Sequence, residues 1–418
     1  MDFITGLDIG NGYVKGTGLM PSGFVSDIDI PSGAAYLTNT HDVKTAPEDV
    51  ASVIADIYSN MDVSFESPVI SDKARHIFGE RGIMSGAVVE EFDVYSSVSK
   101  ANQELSYMLA LGCTAGSVLQ EYYNKNNALP TDVLHATVDV AALALPIAEY
   151  KKYRVDYANN YKKHSHVVMF HNFEQPVSVE LTFADVQIIA EGASAHYAIR
   201  AKGEPFMDAM LSDIRAMGEP LDGITAKDIL EAGNTVGIDI GEGTVNYPVF
   251  QNGKFMPDVS LTFDKGYGAV LNAALERLQD MGYPLGSRKA LQQFLNTQPT
   301  AMTRNKYRRI KSVVDEEITA FVTEVGMQFS KIMSRVGAFT EVVYVYGGGA
   351  TPVKNELYPL LISKSRAIGD GDLSCPILYL DSRYSRYLNR EGLVAFAQAV
   401  AKRRTEGKPV EKKDKKAK

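Results

Sequence analysis

Tryptophan does not occur in this sequence, and cysteine occurs only twice in 418 residues, at Cys113 and Cys375. Two cysteines make no disulfide framework. Cys113 lies in an apolar segment and reads as a small core residue. Missing tryptophan, beside 22 tyrosines, points to no function. Long apolar runs are also missing. No stretch approaches the roughly 18 to 20 uninterrupted apolar residues of a membrane helix. No charged-then-apolar leader precedes the strand-like start at Phe3. His164 and His166 flank a serine but meet no Cys or Asp at metal-ligand spacing, so no zinc role is assigned. His135, ahead of an apolar run, is expected at the core edge with its hydrogen bonds satisfied. These absences predict a cytoplasmic protein with no membrane partner.

Positive charge is in short supply except at one end. Lys and Arg number 43 against 51 Asp and Glu, a net charge of −8. Lys402 to Lys418 holds nine Lys/Arg and three Asp/Glu, which leaves −14 on the first 401 residues. An acidic body disfavours direct nucleic-acid binding by the folded surface. The basic tail has no apolar face and reads as disordered, either a solubilising tail or a weak contact for nucleic acid or a partner. The remaining composition, 45% hydrophobic and 22% charged, is that of an ordinary globular protein. The length suggests two to three domains.

The first 20 residues read as two strands joined by a glycine turn, with Asn11-Gly12 as the hairpin signal. Pro47 opens a helix with Val50, Val53, Ile54 and Ile57 on one face. Ser97 to Tyr123 reads as one long helix, and Thr137 to Leu145 as a buried strand ended by Pro146. Strands follow at 167–170 and 177–183, with a helix after Gly192. Residues 203–230 form polar, irregular helical pieces. Thr235 to Phe250 is a second hairpin, 288–336 is mostly helical, Glu341 to Tyr346 is a strand, and 390–402 is a final helix.

An internal repeat is the most informative feature. A shift of 231 residues places Gly6, Asp8, Ile9, Gly10, Gly12 and Val14 on Gly237, Asp239, Ile240, Gly241, Gly243 and Val245. Each copy is a strand, an aspartate, a Gly-x-Gly turn and a second strand. Two copies half a chain apart predict two similar domains. Glycine turns expose backbone N–H groups, and such concave clusters bind phosphate. One such turn alone is a common structural feature; the duplicate in the same register points to a di- or triphosphate held by two hairpins. Aspartate beside phosphate requires a cation, so Asp8 and Asp239 are read as Mg²⁺ ligands acting through water. Lys15 adds positive charge. Glu242 is acidic within its turn, and is tolerable only if it faces solvent or the cation. A third element runs from strand Val343 to Tyr346 into Gly347, Gly348, Gly349 and Ala350, where glycines let the backbone approach a flat ligand.

In this order the three elements resemble the phosphate-one, phosphate-two and adenosine motifs of the actin superfamily, over about residues 1–400. Several segments are similar to the plasmid-segregating bacterial actins of the ParM type. They are Leu145 to Tyr150 (L-P-x-x-E-Y), Asp185 to Gly192 (D-V-x-V-x-P-E), Asp264 to Gly268, and Ser382 to Gly392. The resemblance implies an α/β, actin-like (ribonuclease H-like) fold of two duplicated domains with a nucleotide cleft between them. The first domain is 1–190, with a small insertion at about 30–66. The second is 191–375, with smaller insertions; 376–401 returns to the first, and 402–418 is the tail. The nucleotide is ATP, with GTP left open, accompanied by Mg²⁺. Its contacts are Asp8, Gly10, Asn11, Gly12, Lys15, Asp239, Gly241, Glu242, Gly243, Thr244, Gly347, Gly348, Gly349 and Ala350.

Glu191 matches the family's catalytic glutamate, which aligns the water attacking the γ-phosphate; Ala190 replaces the usual proline. Glu149 is read as structural. The basic stretch 304–311 is either a solvated helix face or, through Arg308 or Lys311, part of the purine pocket. The implied function is a polymerising ATPase forming dynamic filaments that segregate plasmid DNA. It works through a DNA-binding adaptor protein on a centromere-like site. The alternative is a metabolic kinase or another non-polymerising ATPase of the same superfold.

Overall fold

The computed structural model describes residues 2–36, 44–92, 98–216, 221, 223–369, 375–380 and 382–406. The chain divides into two compact units. One takes Met1–Ala190, Ser194–Ala201 and Asn389–Lys418; the other takes Glu191–Ala193 and Lys202–Leu388.

The first unit is built on strands β1 (Asp2–Ile9), β2 (Tyr13–Leu19), β3 (Val25–Pro31), β4 (Gly33–Tyr36), β5 (Asp62–Glu66), β6 (His76–Ile77), β7 (Val89–Glu91), β8 (Leu134–Leu145), β9 (His166–Phe170), β10 (Val177–Phe183) and β11 (Val186–Ala190). They form one sheet in the order β3-β2-β1-β8-β10-β9-β5-β6-β4-β7, with β11 also on β8. The region read as an insertion thus continues the main sheet. Strand β8 explains its own sequence. Its first half pairs with β10 and alternates buried with exposed; its second half, Val140 to Leu145, pairs with β1 and β11 and is wholly buried.

The helix Glu104–Asn126 is buried at every position from Leu105 to Glu121, and Asn127 ends it in the left-handed region at φ 49°. It starts later than its apolar pattern suggests, because Lys100–Asn102 forms a separate 3₁₀ turn. The Glu149 carboxylate accepts the N–H groups of Lys100 and Ala101 at 3.0 and 3.1 Å. Glu149 is therefore satisfied by backbone, in keeping with the structural reading. The Pro47 helix breaks at Asp56 into Val50–Ala55 and Ile57–Asn60, with Ile54 and Ile57 buried. His135 departs from expectation: its side chain is 74% exposed and bonds Glu180 at 2.6 Å. Cys113 is fully buried, and burial pushes its thiol well above the ordinary range.

The second unit holds β12 (Thr235–Ile240), β13 (Val245–Tyr247), β14 (Val249–Gln251), β15 (Lys254–Phe255), β16 (Leu261–Phe263), β17 (Val342–Tyr346) and β18 (Ile377–Tyr379). Their order is β15-β14-β12-β13-β16, and β17 joins β12 and β18. Every residue of β12 and β17 is buried. The helices Tyr267–Asp280, Arg304–Val336 and Ala350–Ile368 contribute Leu271, Val314, Phe329 and Leu357 to the same core. The Tyr247 hydroxyl crosses that core to donate to the Val325 carbonyl at 3.0 Å.

Two boundaries differ from the sequence reading. Because β18 adds in parallel to β17, the second unit extends to Leu388 and the chain rejoins the first only at Asn389. The last helix, Leu388–Thr405, runs four residues into the stretch read as tail, and Arg404 donates to the Asp139 carbonyl at 2.8 Å. The rest of that tail, 407–418, lies outside the described residues.

Candidate functional site

The repeat survives as geometry. In the first unit Asp8 pairs with Lys15 and Ile9 with Val14; in the second Asp239 pairs with Asn246 and Ile240 with Val245. The turns close alike, Gly10 N–H to the Tyr13 carbonyl at 3.0 Å and Gly241 N–H to the Thr244 carbonyl at 2.9 Å. All four partners map onto one another under the same shift of 231.

In the first unit Asp8, Gly10, Asn11, Gly12 and Lys15 stand together, half-buried, on one hairpin. Ser32 braces the turn from β3's end: its hydroxyl donates to the Gly10 carbonyl at 2.7 Å and its N–H to the Gly12 carbonyl at 2.9 Å. The Lys100 ammonium, buried at 4% exposure, donates to the Ile9 carbonyl at 2.8 Å. It places a positive charge beside the turn that no motif announces.

The second unit gathers more. The Gly241 and Glu242 carbonyls accept the N–H groups of Tyr267 and Gly268 at 3.0 and 2.9 Å. In a planar trans peptide the next N–H points opposite to its carbonyl. The Glu242 and Gly243 N–H groups therefore point away from the helix Tyr267–Asp280, the disposition of an anion nest. Gly349 N–H ties the third loop to the hairpin through the Ile240 carbonyl at 2.8 Å. Ala350 then opens the 19-residue helix Ala350–Ile368. Gly347 is required here. Its φ is +98°, and a Cβ would press on the Ile240 carbonyl and lie 2.6 Å from Asp239 Oδ1.

Asp239 is 5% exposed. Burial, with the Asp239 charge second, holds the neighbouring Tyr346 hydroxyl far above its ordinary range, so it stays a donor; it bonds the Gly192 carbonyl at 2.7 Å. That bond fixes the segment carrying Glu191. Glu191 itself is 8% exposed and accepts from Asn246 Nδ2 at 3.1 Å. Asn246 is oriented in turn by the Thr262 hydroxyl, which donates to its Oδ1 at 2.8 Å. The Glu242 carboxylate lies 3.1 Å from the Arg288 guanidinium, a cationic partner supplied by the chain itself.

A cavity of about 530 Å³ adjoins this cluster within the same unit, its lining including Tyr267, Lys311, Asp315, Gly348, Thr351 and Arg386. That is the size of a small-molecule site. Of the two basic candidates for a purine pocket, Lys311 lines it while Arg308 is an exposed helix position. Lys311 pairs with Asp315 at 2.6 Å. Burial, with the Asp315 charge second, raises the Tyr267 hydroxyl to about 12. Sequence reasoning missed Asn246, although it occupies the repeat position of Lys15. It also missed Tyr307, Val314, Asp315 and Ile318, which helical spacing carries on one face with Lys311.

Residues 237–358 match the family model of the C-terminal domain of the archaeal MreB-like actin homologue. Among solved structures, the archaeal actin homolog Ta0583 superposes with a TM-score of 0.60 at 12% identity, covering 95% of this chain and 99% of that one. The protein has the actin-like fold. The actin-like protein Alp7A gives a TM-score of 0.65 at 15% identity, over 97% of this chain and 99% of its own. Bacillus thuringiensis ParM with ATP gives 0.56 at 13%, over 95% and 98%. No curated sequence matches. Among the described residues, no helix is long and apolar enough to cross a membrane.

Proposed function

We propose that this actin-like protein binds ATP with Mg²⁺, hydrolyses it, and assembles with copies of itself into filaments. The observation that carries the reading is the convergence, in one unit, of Asp239, the Gly241–Thr244 turn, the Gly347–Ala350 loop and Glu191 beside a nucleoside-sized cavity. Backbone N–H groups of the turn and the start of the helix Ala350–Ile368 suit phosphate. Tyr267, Lys311, Thr351 and Arg386 suit the nucleoside. The register shared with the other hairpin supports the reading of Asp8, Gly10, Asn11, Gly12 and Lys15 as phosphate-binding residues too.

The donor set fits a magnesium ion held mostly by water and phosphate. Asp239 is a buried hard-oxygen donor, and among the described residues no group of three His, Cys, Asp or Glu forms a cage. Bound Mg²⁺ supplies neutralisation of phosphate charge. Glu191 aligns a water whose oxygen bonds the γ-phosphorus as the bond to the bridging oxygen breaks, giving ADP and phosphate. Two of the similar structures are Bacillus thuringiensis ParM with ATP and with AMPPNP, and another is a non-polymerisable quadruple mutant of pCBH ParM. By that likeness we assign assembly to this chain, a cytoplasmic setting, and plasmid segregation through a DNA-binding adaptor. GTP is tested beside ATP.

Light scattering on adding ATP and Mg²⁺ to the purified protein tests the proposal. Scattering should rise at micromolar protein and decay as phosphate is released. Only monomers across nucleotides and salt would overturn assembly and favour the kinase.

A further inference from the structure

An acidic residue inside a phosphate-binding turn is an electrostatic contradiction, and the second unit contains its resolution. Glu242 sits at the centre of Gly241-Glu242-Gly243. Its carbonyl is turned toward Gly268, so the anion-facing N–H groups lie on the opposite side of the turn. The side chain is drawn to Arg288, with Nη1 3.1 Å from Oε1. Room for this pair depends on Gly268. A Cβ there would stand 2.8 Å from Arg288 Nη1, from Glu242 Cγ and from the Glu242 carbonyl. Arg288 is the first residue of the helix Arg288–Asn296, set by Ser287, whose hydroxyl accepts the Ala290 N–H at 3.1 Å. The same helix lends Gln292, Leu295 and Asn296 to the cavity.

We propose that Arg288 is a positioning residue that holds the Glu242 carboxylate off the anion face of the turn, so that the turn can take a polyphosphate. The proposal rests on the nucleotide reading above. Without the guanidinium the carboxylate is free to swing within a few ångströms of the phosphates, and like charges at that range repel. The helix Arg288–Asn296 thereby links the phosphate turn to the nucleoside cavity.

Binding of ATP, ADP and adenosine, with Mg²⁺, is measured by calorimetry on the full chain and on Arg288→Ala, Glu242→Gln and the double variant. Arg288→Ala should weaken ATP roughly ten-fold or more, ADP less, and adenosine hardly at all, because the repulsion scales with phosphate charge. Glu242→Gln should bind ATP about two- to three-fold more tightly than wild type, since it removes the carboxylate outright. The double variant should regain the affinity lost in Arg288→Ala. Arg288→Lys, which keeps the charge, covers the case in which Arg288→Ala does not fold; it should stay within about three-fold of wild type. A loss equal for adenosine and ATP, or one not relieved in the double variant, overturns the proposal. So does weaker ATP binding by Glu242→Gln, which would place Glu242 on the cation. If wild type binds no nucleotide, the functional reading itself falls and this proposal with it.

Discussion

Glu191→Ala is the perturbation that separates chemistry from binding. Glu191 is nearly buried, and its carboxylate is fixed by the Asn246 amide at 3.1 Å. The Thr262 hydroxyl at 2.8 Å and the Thr244 hydroxyl at 3.2 Å hold that amide in one orientation, NH₂ toward Glu191. In the proposed role that carboxylate acts on the attacking water and little on the bound nucleotide. Its removal should slow hydrolysis by roughly 10²- to 10⁴-fold, or about 3 to 5 kcal/mol on the barrier. ATP affinity should change by less than about three-fold. Phosphate release and light scattering, followed in one sample, should show filaments that form and then persist.

Asn246→Asp probes the same link differently. It sets a second carboxylate against Glu191, and one of the two must then hold its proton to higher pH. The acid limb of the rate–pH profile should move upward. Hydrolysis at the wild-type rate in Glu191→Ala, or an unmoved profile in Asn246→Asp, would refute the assignment.

Three further outcomes follow from the same geometry. Gly347→Ala should destabilise the fold by about 2 to 4 kcal/mol, since its φ is +98° and its Cβ meets Ile240 and Asp239. Gly348→Ala, whose Cβ would meet nothing within 4 Å, should leave the melting temperature in place while weakening nucleoside binding. Equal melting temperatures for both would refute the strain argument. Asp8→Ala and Asp239→Ala should each weaken the Mg²⁺-dependent part of ATP binding by about 10- to 100-fold; a magnesium titration unchanged in both would sink the paired-aspartate reading. Truncation after Glu406 should leave thermal stability unchanged, whereas truncation before Lys402 should cost about 1 kcal/mol, because it removes Arg404 from Asp139. Equal melting curves for the two truncations would show that Arg404 contributes nothing.

The parts legible in the sequence are those that backbone chemistry dictates. A single Gly-x-Gly turn is common, but two in one register are not, so both hairpins, and with them the Gly347 loop, could be placed by residue. The core strand β8 followed from its apolar run ended by Pro146, and the helix Arg304–Val336 fell within the stretch 288–336 read as mostly helical. What escaped depends on tertiary contact. Nothing local to Arg288 says that it will meet Glu242, 46 residues earlier. Nothing local to Lys100 says that it will be buried with its ammonium on the Ile9 carbonyl. The late start of the helix Glu104–Asn126 was set by Glu149, which lies far along the chain. The boundary at Leu388 was set by a strand pairing, β17 with β18, that no composition change marks.

The two hairpins also explain which positions of a duplicated scaffold are free to diverge. Gly10 and Gly241 agree because a Cβ there would crowd the Tyr13 or Thr244 carbonyl, at 2.8 and 3.1 Å, and the aspartates agree in place, each one residue before the end of its strand. The residues opposite the aspartates do not agree: Lys15 in one copy, Asn246 in the other. A lysine in place of Asn246 would present an ammonium to Glu191, neutralise it and withdraw it from water. Asparagine orients the carboxylate without quenching its charge. The turn centres differ too, Asn11 against Glu242. Asn11 is neutral and needs no counter-ion, whereas Glu242 is matched by Arg288 and by the missing side chain at Gly268. Divergence between the copies is therefore concentrated in the charge of the side chains, and the backbone of the two turns is left alike.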